Sequence, residues 1–182
     1  MRQQKGHYHA ETLFEAIGWR HFVYLWWSLL VARLLSAKSL TAHLPLEIQH
    51  PKIFRNIVWV NKLIRLGEFW KEIFRVKLFW ENAPLLVYGT WILKFGQTDW
   101  HLVPGNIDLC LDTGHLMQGS QSVSEARKRI TKILGKHGAK IKHLHLHEND
   151  LVHDNHWRPK KILTKRLLDR LKSGRTFIYE KG

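Results

Sequence analysis

Cysteine and acid are what this sequence has least of. One cysteine, Cys110, excludes an internal disulfide and any cysteine-rich zinc module, and it fits a reducing compartment. Fifteen Asp+Glu stand against twenty-nine Lys+Arg, a formal charge of +14 at pH 7. That surplus attracts polyanions such as nucleic acid, acidic lipid or phosphorylated substrates. A solvated basic surface without a single partner is the plainer alternative. With so few acids, those at the ends of apolar strands become candidates for chemistry.

A long hydrophobic run is also missing. The most apolar stretch, HFVYLWWSLLVARLL at 21–35, is bracketed by Arg20 and Arg33. It is too short for a bilayer, which needs about 20 apolar residues. The residues before it contain Glu11 and Glu15 and lack the compact basic start of a signal peptide. The expectation is a cytoplasmic protein with no transmembrane segment. Residues 1–38 are then an aromatic N-terminal helical segment, with a membrane-surface face as the lesser option.

What is present is ample core material. Hydrophobic residues make up 45% of 182 residues and there are nine Trp, enough for one folded domain over 1–182. No repeat, low-complexity segment or linker interrupts it. SLTAHLP (39–45), RVKLFWENAP (75–84) and NIDLCLDTGH (106–115) read as strands. PKIFRNIVWVNKLIRLGEFWKEIF (51–74) reads as a helix. Ser122 and Glu125 form a capping-box pattern opening another, which Gly135 can end. KIKHLHLHEND then reads as a strand, KKILTKRLLDRLKSG as a helix and RTFIYEKG as a last strand. Strand–helix–strand order with buried apolar runs implies parallel pairing and α/β architecture.

Five of the thirteen histidines fall in IKHLHLHENDLVHDNHW, residues 141–157. On a strand His143, His145 and His147 share one face and Leu144 and Leu146 the other. Three imidazoles on one side make a poor core and a good cation site. The other strands also finish on ligand-type residues: His43, Glu81, Asp112 followed by His115, and Glu180. Asp154-x-His156 adds a pair in the loop after the histidine strand. Parallel α/β folds collect their chemistry at the carboxyl ends of strands, and converging carboxylates and imidazoles suit a divalent metal. His21 and His137 read as structural; His7, His9 and His153 read as solvated.

ENAP, LCLDTGH, HLHLHEND followed by HDNH, and TFIYEKG, in this order and spacing, resemble the xylose-isomerase-like TIM-barrel superfamily. The match covers roughly 39–45 and 75–182. That superfamily holds sugar and sugar-phosphate isomerases and epimerases, and endonuclease IV of AP endonuclease family 2. The resemblance implies a (β/α)₈-type barrel, shortened in its N-terminal half, since such barrels need about 250 residues. It implies a metal site of Glu81, Asp112, His145 and Glu180, taking Mn, Mg, Co or Zn. His43, His115, Asp154 and His156 match the additional metal ligands of the nuclease branch. One further histidine of that branch has only His50 as a candidate. Glu148 stands where the family usually has Asp, and WRPKK replaces the usual glycine-containing turn after Asp-x-His.

The function implied is a divalent-metal-dependent isomerase or epimerase of a sugar or sugar phosphate. Glu81 and Glu180 would be the catalytic pair, moving a proton through an enediolate, with His115 orienting a hydroxyl. His147 is a substrate or additional metal group and His143 lies deeper. The alternative is a zinc-dependent apurinic/apyrimidinic endonuclease, drawing DNA to the basic surface. A third reading is an inactive metal-binding barrel remnant. A homo-oligomer that completes the barrel is a further option.

Overall fold

The computed structural model describes residues 2–4, 6–9, 19–44, 57–88, 91–93 and 105–180, which gather into two compact units. Unit 1 is drawn from Met1–Glu81 and Asp99–Asp108, unit 2 from Asn82–Thr98 and Leu109–Gly182.

Unit 1 carries β1 (Arg2–Gln4), β2 (His7–His9), α1 (Trp19–Leu34), β3 (Ser39–His43), α2 (Ile57–Phe74) and β4 (Lys77–Glu81). β1 and β2 are antiparallel, whereas β2–β3 and β3–β4 are parallel, with Ser39 opposite Lys77 and His43 opposite Glu81. The two N-terminal strands correct the expectation of a helical segment from residue 1. Each strand is only three residues long, and β2 is held by partners elsewhere in the chain. The His7 ring bridges Ser39 Oγ and Thr41 Oγ1, both at 2.7 Å. His7 is therefore buried rather than solvated.

The core of unit 1 lies where α1 and α2 cover β3 and β4. Leu25, Leu29, Leu40, Ile64, Leu78 and Trp80 are almost fully enclosed. Gly67 permits the close approach of α2: a Cβ there would stand 2.7 Å from Leu25 and 2.9 Å from Trp80. The Trp80 indole N–H donates to Glu68 at 2.9 Å, so its one polar atom is satisfied. Residues 45–56, including His50, lie outside the described residues.

Unit 2 begins with a hairpin of β5 (Leu86–Tyr88) and β6 (Trp91–Leu93). It continues through β7 (Leu109–Asp112), α3 (Thr113–Met117), α4 (Val123–His137), β8 (Ile141–Leu146), α5 (Lys165–Lys172) and β9 (Thr176–Tyr179). β7, β8 and β9 form one parallel sheet with Asp112 opposite His145 and His145 opposite Ile178. Leu109, Leu111, Ile141, Leu144 and Leu146 are buried in it.

Three boundaries depart from the sequence reading. DTGH does not extend the strand, because Asp112 accepts the His115 amide at 2.8 Å and so starts α3. Ser122 caps α4 as expected, accepting from the Glu125 amide, but the helix passes Gly135 and ends after His137. Ile133, Leu134 and His137 are buried on one side, and that packing outweighs the cost of one glycine. The last helix starts at Lys165, since the amides of Lys160–Leu163 are engaged elsewhere, as described below. Among the described residues six strands lie in parallel ladders, three in each unit.

Candidate functional site

β7 and β8 run side by side, so their carboxyl ends bring Asp112 and His145 together, and β9 delivers Glu180 one residue past its end. His145 Nδ1 stands 3.1 Å from Glu180 Oε1 and 3.8 Å from Asp112 Oδ2. His147, just beyond β8, comes nearer still to Asp112. Its Nε2 is 2.9 and 3.1 Å from the two carboxylate oxygens and 3.6 Å from Glu180 Oε2. Asp112, His145 and His147 are fully enclosed, while Glu180 keeps 16% of its side chain accessible. Glu180 is thus the member of this group that reaches outward.

The His147 ring occupies space that a side chain at position 114 would deny it. A Cβ on Gly114 would lie 1.9 Å from the ring. Thr113 Oγ1 anchors the same turn, donating toward the carbonyls of His145 and His147 and accepting the His147 amide. Asn82 supports Asp112 from the other side: its amide oxygen accepts Asp112 N–H at 2.9 Å and its NH₂ donates to Asp112 O at 3.0 Å. Burial alone would press the His147 pKa down. The adjoining Asp112 carboxylate, with Glu180 beyond it, outweighs burial and the neighbouring His115, so the pKa stands above the ordinary imidazole value.

A second group adjoins the first. His115 Nε2 lies 3.2 Å and His156 Nε2 3.0 Å from Asp154 Oδ2. His156 Nδ1 faces Glu180 Oε2 at 3.3 Å, and its ring stacks on His147 with centroids 4.2 Å apart. His156 adopts a left-handed φ of 50°, a conformation that costs a non-glycine residue energy and here aims the ring. Burial would raise the Asp154 carboxyl. Hydrogen bonds and charge from His115 and His156 hold it well below the usual carboxylate range.

These contacts fit a bound cation. His115 Nδ1 donates to the Asn82 carbonyl at 2.8 Å, which fixes the tautomer. In the neutral ring Nε2 is then a bare lone pair facing a carboxylate, a contact that wants a proton or a metal between the atoms. His147 Nδ1 and Asp154 Oδ1 are buried without a hydrogen-bond partner among the described residues, a costly arrangement in a site without a cation. Asp112, His147 and Glu180 each offer a ligand atom within 4.8 Å of the others, and so do His115, His147, Asp154 and His156. Imidazole nitrogen with carboxylate oxygen suits zinc, manganese or cobalt.

The loop that carries Asp154 and His156 is tied at its neck. Glu148 and Trp157 exchange backbone hydrogen bonds, both at 2.7 Å. The buried Glu148 carboxylate accepts the amides of Lys160, Lys161, Ile162 and Leu163 at 2.6–2.9 Å. Asn149 donates to Gly114 O, and Gly119 N–H donates to Leu151 O, pinning the loop to α3 and the turn after it. Glu148, noticed in the sequence only as a departure, is a positioning residue.

His43 and Glu81 belong to unit 1, and His143 and His153 to unit 2. His43 Nε2 and Glu81 Oε2 lie 3.7 Å apart at the ends of β3 and β4 in unit 1. His143 is buried and its Nδ1 shares a hydrogen bond with Thr176 Oγ1 at 2.6 Å. His153 is exposed and paired with Asp150, as its solvated reading anticipated. The closeness of His147 to Asp112 is not implied by the alternation of the histidine strand. Its signal in the sequence is the glycine two residues after Asp112, which leaves room for a ring.

No protein-family model matches the sequence. No curated protein matches it either. Among solved structures, the chain is similar to a D-tagatose 3-epimerase-like protein, at 17% identity and a TM-score of 0.64, over 96% of this chain and 70% of that one. It is also similar to the TTHB071 protein from Thermus thermophilus, solved after soaking with ZnCl₂, at 19% identity and a TM-score of 0.57. That match covers 87% of this chain and 61% of the other, so this chain spans less than two thirds of its length. This chain shares the fold of these structures, a TIM-type barrel.

Proposed function

We propose that this protein is a divalent-metal-dependent isomerase or epimerase of a sugar or sugar phosphate. The observation that carries the reading is the meeting of Asp112, His145, His147 and Glu180 at the carboxyl ends of adjacent parallel strands. The likeness to an epimerase-like structure supports it. Asp112, His145 or His147, and Glu180 would hold the ion. When bound, a divalent cation supplies Lewis-acid polarisation of a substrate oxygen.

The chain's own groups supply the rest. Glu180, the accessible carboxylate, takes the proton beside the substrate carbonyl. His145 and His156 flank its two oxygens and fix its orientation. Asp112 holds His147 in place from below. Glu81 is assigned the second proton transfer from the sequence. The test is solvent exchange: with Mn, Co, Mg or Zn loaded, ketoses and their phosphates in D₂O take up deuterium next to the carbonyl. A loaded protein that exchanges nothing across such a panel contradicts the proposal.

One observation favours a second reading. His115, Asp154 and His156, standing beside Asp112, His147 and Glu180, together exceed the roughly four ligands one ion needs, as a zinc-dependent apurinic/apyrimidinic endonuclease would require. Zinc-loaded protein that nicks abasic duplex DNA but leaves sugars unexchanged would move the assignment there.

A further inference from the structure

We propose that unit 1 docks on anionic membrane surfaces through the outward faces of α1 and α2. Among the described residues thirteen large apolar side chains are exposed, and nine of them lie on these two helices or in the turn after α1. On α1 the outward stripe runs through Val23, Trp27 and Leu34, at 46%, 57% and 74% exposure. Residues 23, 27 and 34 recur at helical spacing, so they share one face. On α2 the matching stripe is Leu66, Phe69 and Ile73.

Aromatic rings join the two stripes into one surface. Phe22 meets Trp70 with centroids 4.3 Å apart, and Trp26 meets Phe74 at 6.1 Å. The inward sides of both helices are already occupied by the core of unit 1, so this is a second apolar face. A solvated barrel helix is polar outside; a helix apolar all round is covered by something.

Charge identifies the cover. α1 contains no acid, and its exposed polar ends are Arg20 and Arg33. On α2 the exposed Lys62 and Arg65 outnumber the exposed acid Glu72, while Glu68 is tied to Lys71 and Trp80. Trp and Tyr beside Arg and Lys is the composition of a helix lying in a lipid headgroup layer. No helix among the described residues is long and apolar enough to cross a membrane, so the surface rests on the bilayer. The basic rim selects acidic headgroups.

The experiment is co-sedimentation of the full chain with phosphatidylcholine vesicles with and without phosphatidylglycerol. The expected result is binding to the acidic vesicles alone. Trp27→Ser with Phe69→Ser leaves the net charge unchanged and should weaken binding about tenfold or more, through lost apolar burial. Both side chains are exposed, and an unchanged circular dichroism melt shows that the variant still folds. Equal binding by the variant would mean that diffuse positive charge alone drives association, and would overturn the proposal. So would absence of binding, or a stable dimer of the free protein that the same substitutions dissociate.

Discussion

α4 and α1 face solvent in opposite ways. The outward positions of α4 are Ser124, Lys128, Thr131, Lys132 and Lys136, with Ala126, Ile130 and Ile133 turned inward. α1 turns Leu25 and Leu29 inward and still shows Val23, Trp27 and Leu34 to the outside. The strand ends differ in the reverse sense. In unit 1 the ends of β3 and β4 bring His43 and Glu81 to 3.7 Å from one another. In unit 2 three carboxylates and four imidazoles interlock. Unit 2 thus joins an ordinary outside to a dense network at its strand ends, and unit 1 has the specialised outside. Scarce acid is placed where imidazoles can use it, and the surplus of base flanks an apolar surface.

The largest effect should follow from cutting the centre of the unit 2 network. Asp112→Ala removes the partner of the His147 ring, the acceptor of the His115 amide and an expected metal ligand. Breaking a buried charged pair costs about 3–5 kcal/mol, so the melting temperature should drop steeply and metal should be lost. The comparable change in unit 1, His43→Ala, should cost far less stability. Equal losses in both would erase the contrast between the units.

Next come two changes that leave every candidate ligand in place. Glu148→Ala strands four amides and loosens the neck of the loop, at a cost of about 1–3 kcal/mol. It should lower affinity at the Asp154 and His156 group before it touches ion binding at Asp112, measured by calorimetric zinc titration. Gly114→Ala pushes a methyl into the His147 ring and should cost about 1–3 kcal/mol, with the same loss of metal affinity. Normal zinc binding in Gly114→Ala would mean that His147 need not sit against Asp112.

The smallest effect belongs to the exposed pair of Asp150 and His153. Slight burial opposes the shift, but the His153 side chain and the amides of Val152 and His153 lower the Asp150 pKa from 3.8 to about 2. A depressed folded pKa means stability that is complete above the unfolded value and is lost as pH falls towards about 2. Solvent screening limits it to a few tenths of a kcal/mol. His153→Ala should therefore differ barely from the parent at pH 7, be indistinguishable near pH 2, and keep its metal.

The strand ends were legible because a strand shows its period in sequence, and a polar residue closing an apolar run stands out. That is how Asp112, His145 and Glu180 were singled out, and the solved structure with the epimerase-like fold agrees with the architecture read from them. What escaped depends on distant partners. β2 is held by His7 bonds to Ser39 and Thr41, some thirty residues away. The stretch 160–163 looks helical until Glu148 takes its amides. α3 exists because Asp112 serves as both strand end and helix cap, two roles that spacing alone does not separate.

Metal binding by the unit 2 strand ends is the claim on which the proposed chemistry stands. Its most direct test is the metal content of stripped and reloaded protein, with His145→Ala, Glu180→Ala and His153→Ala alongside. The account predicts at least about one tightly held divalent ion per chain, lost in His145→Ala and Glu180→Ala and kept in His153→Ala. Equal retention in all three variants, or no ion held by the parent, would contradict it.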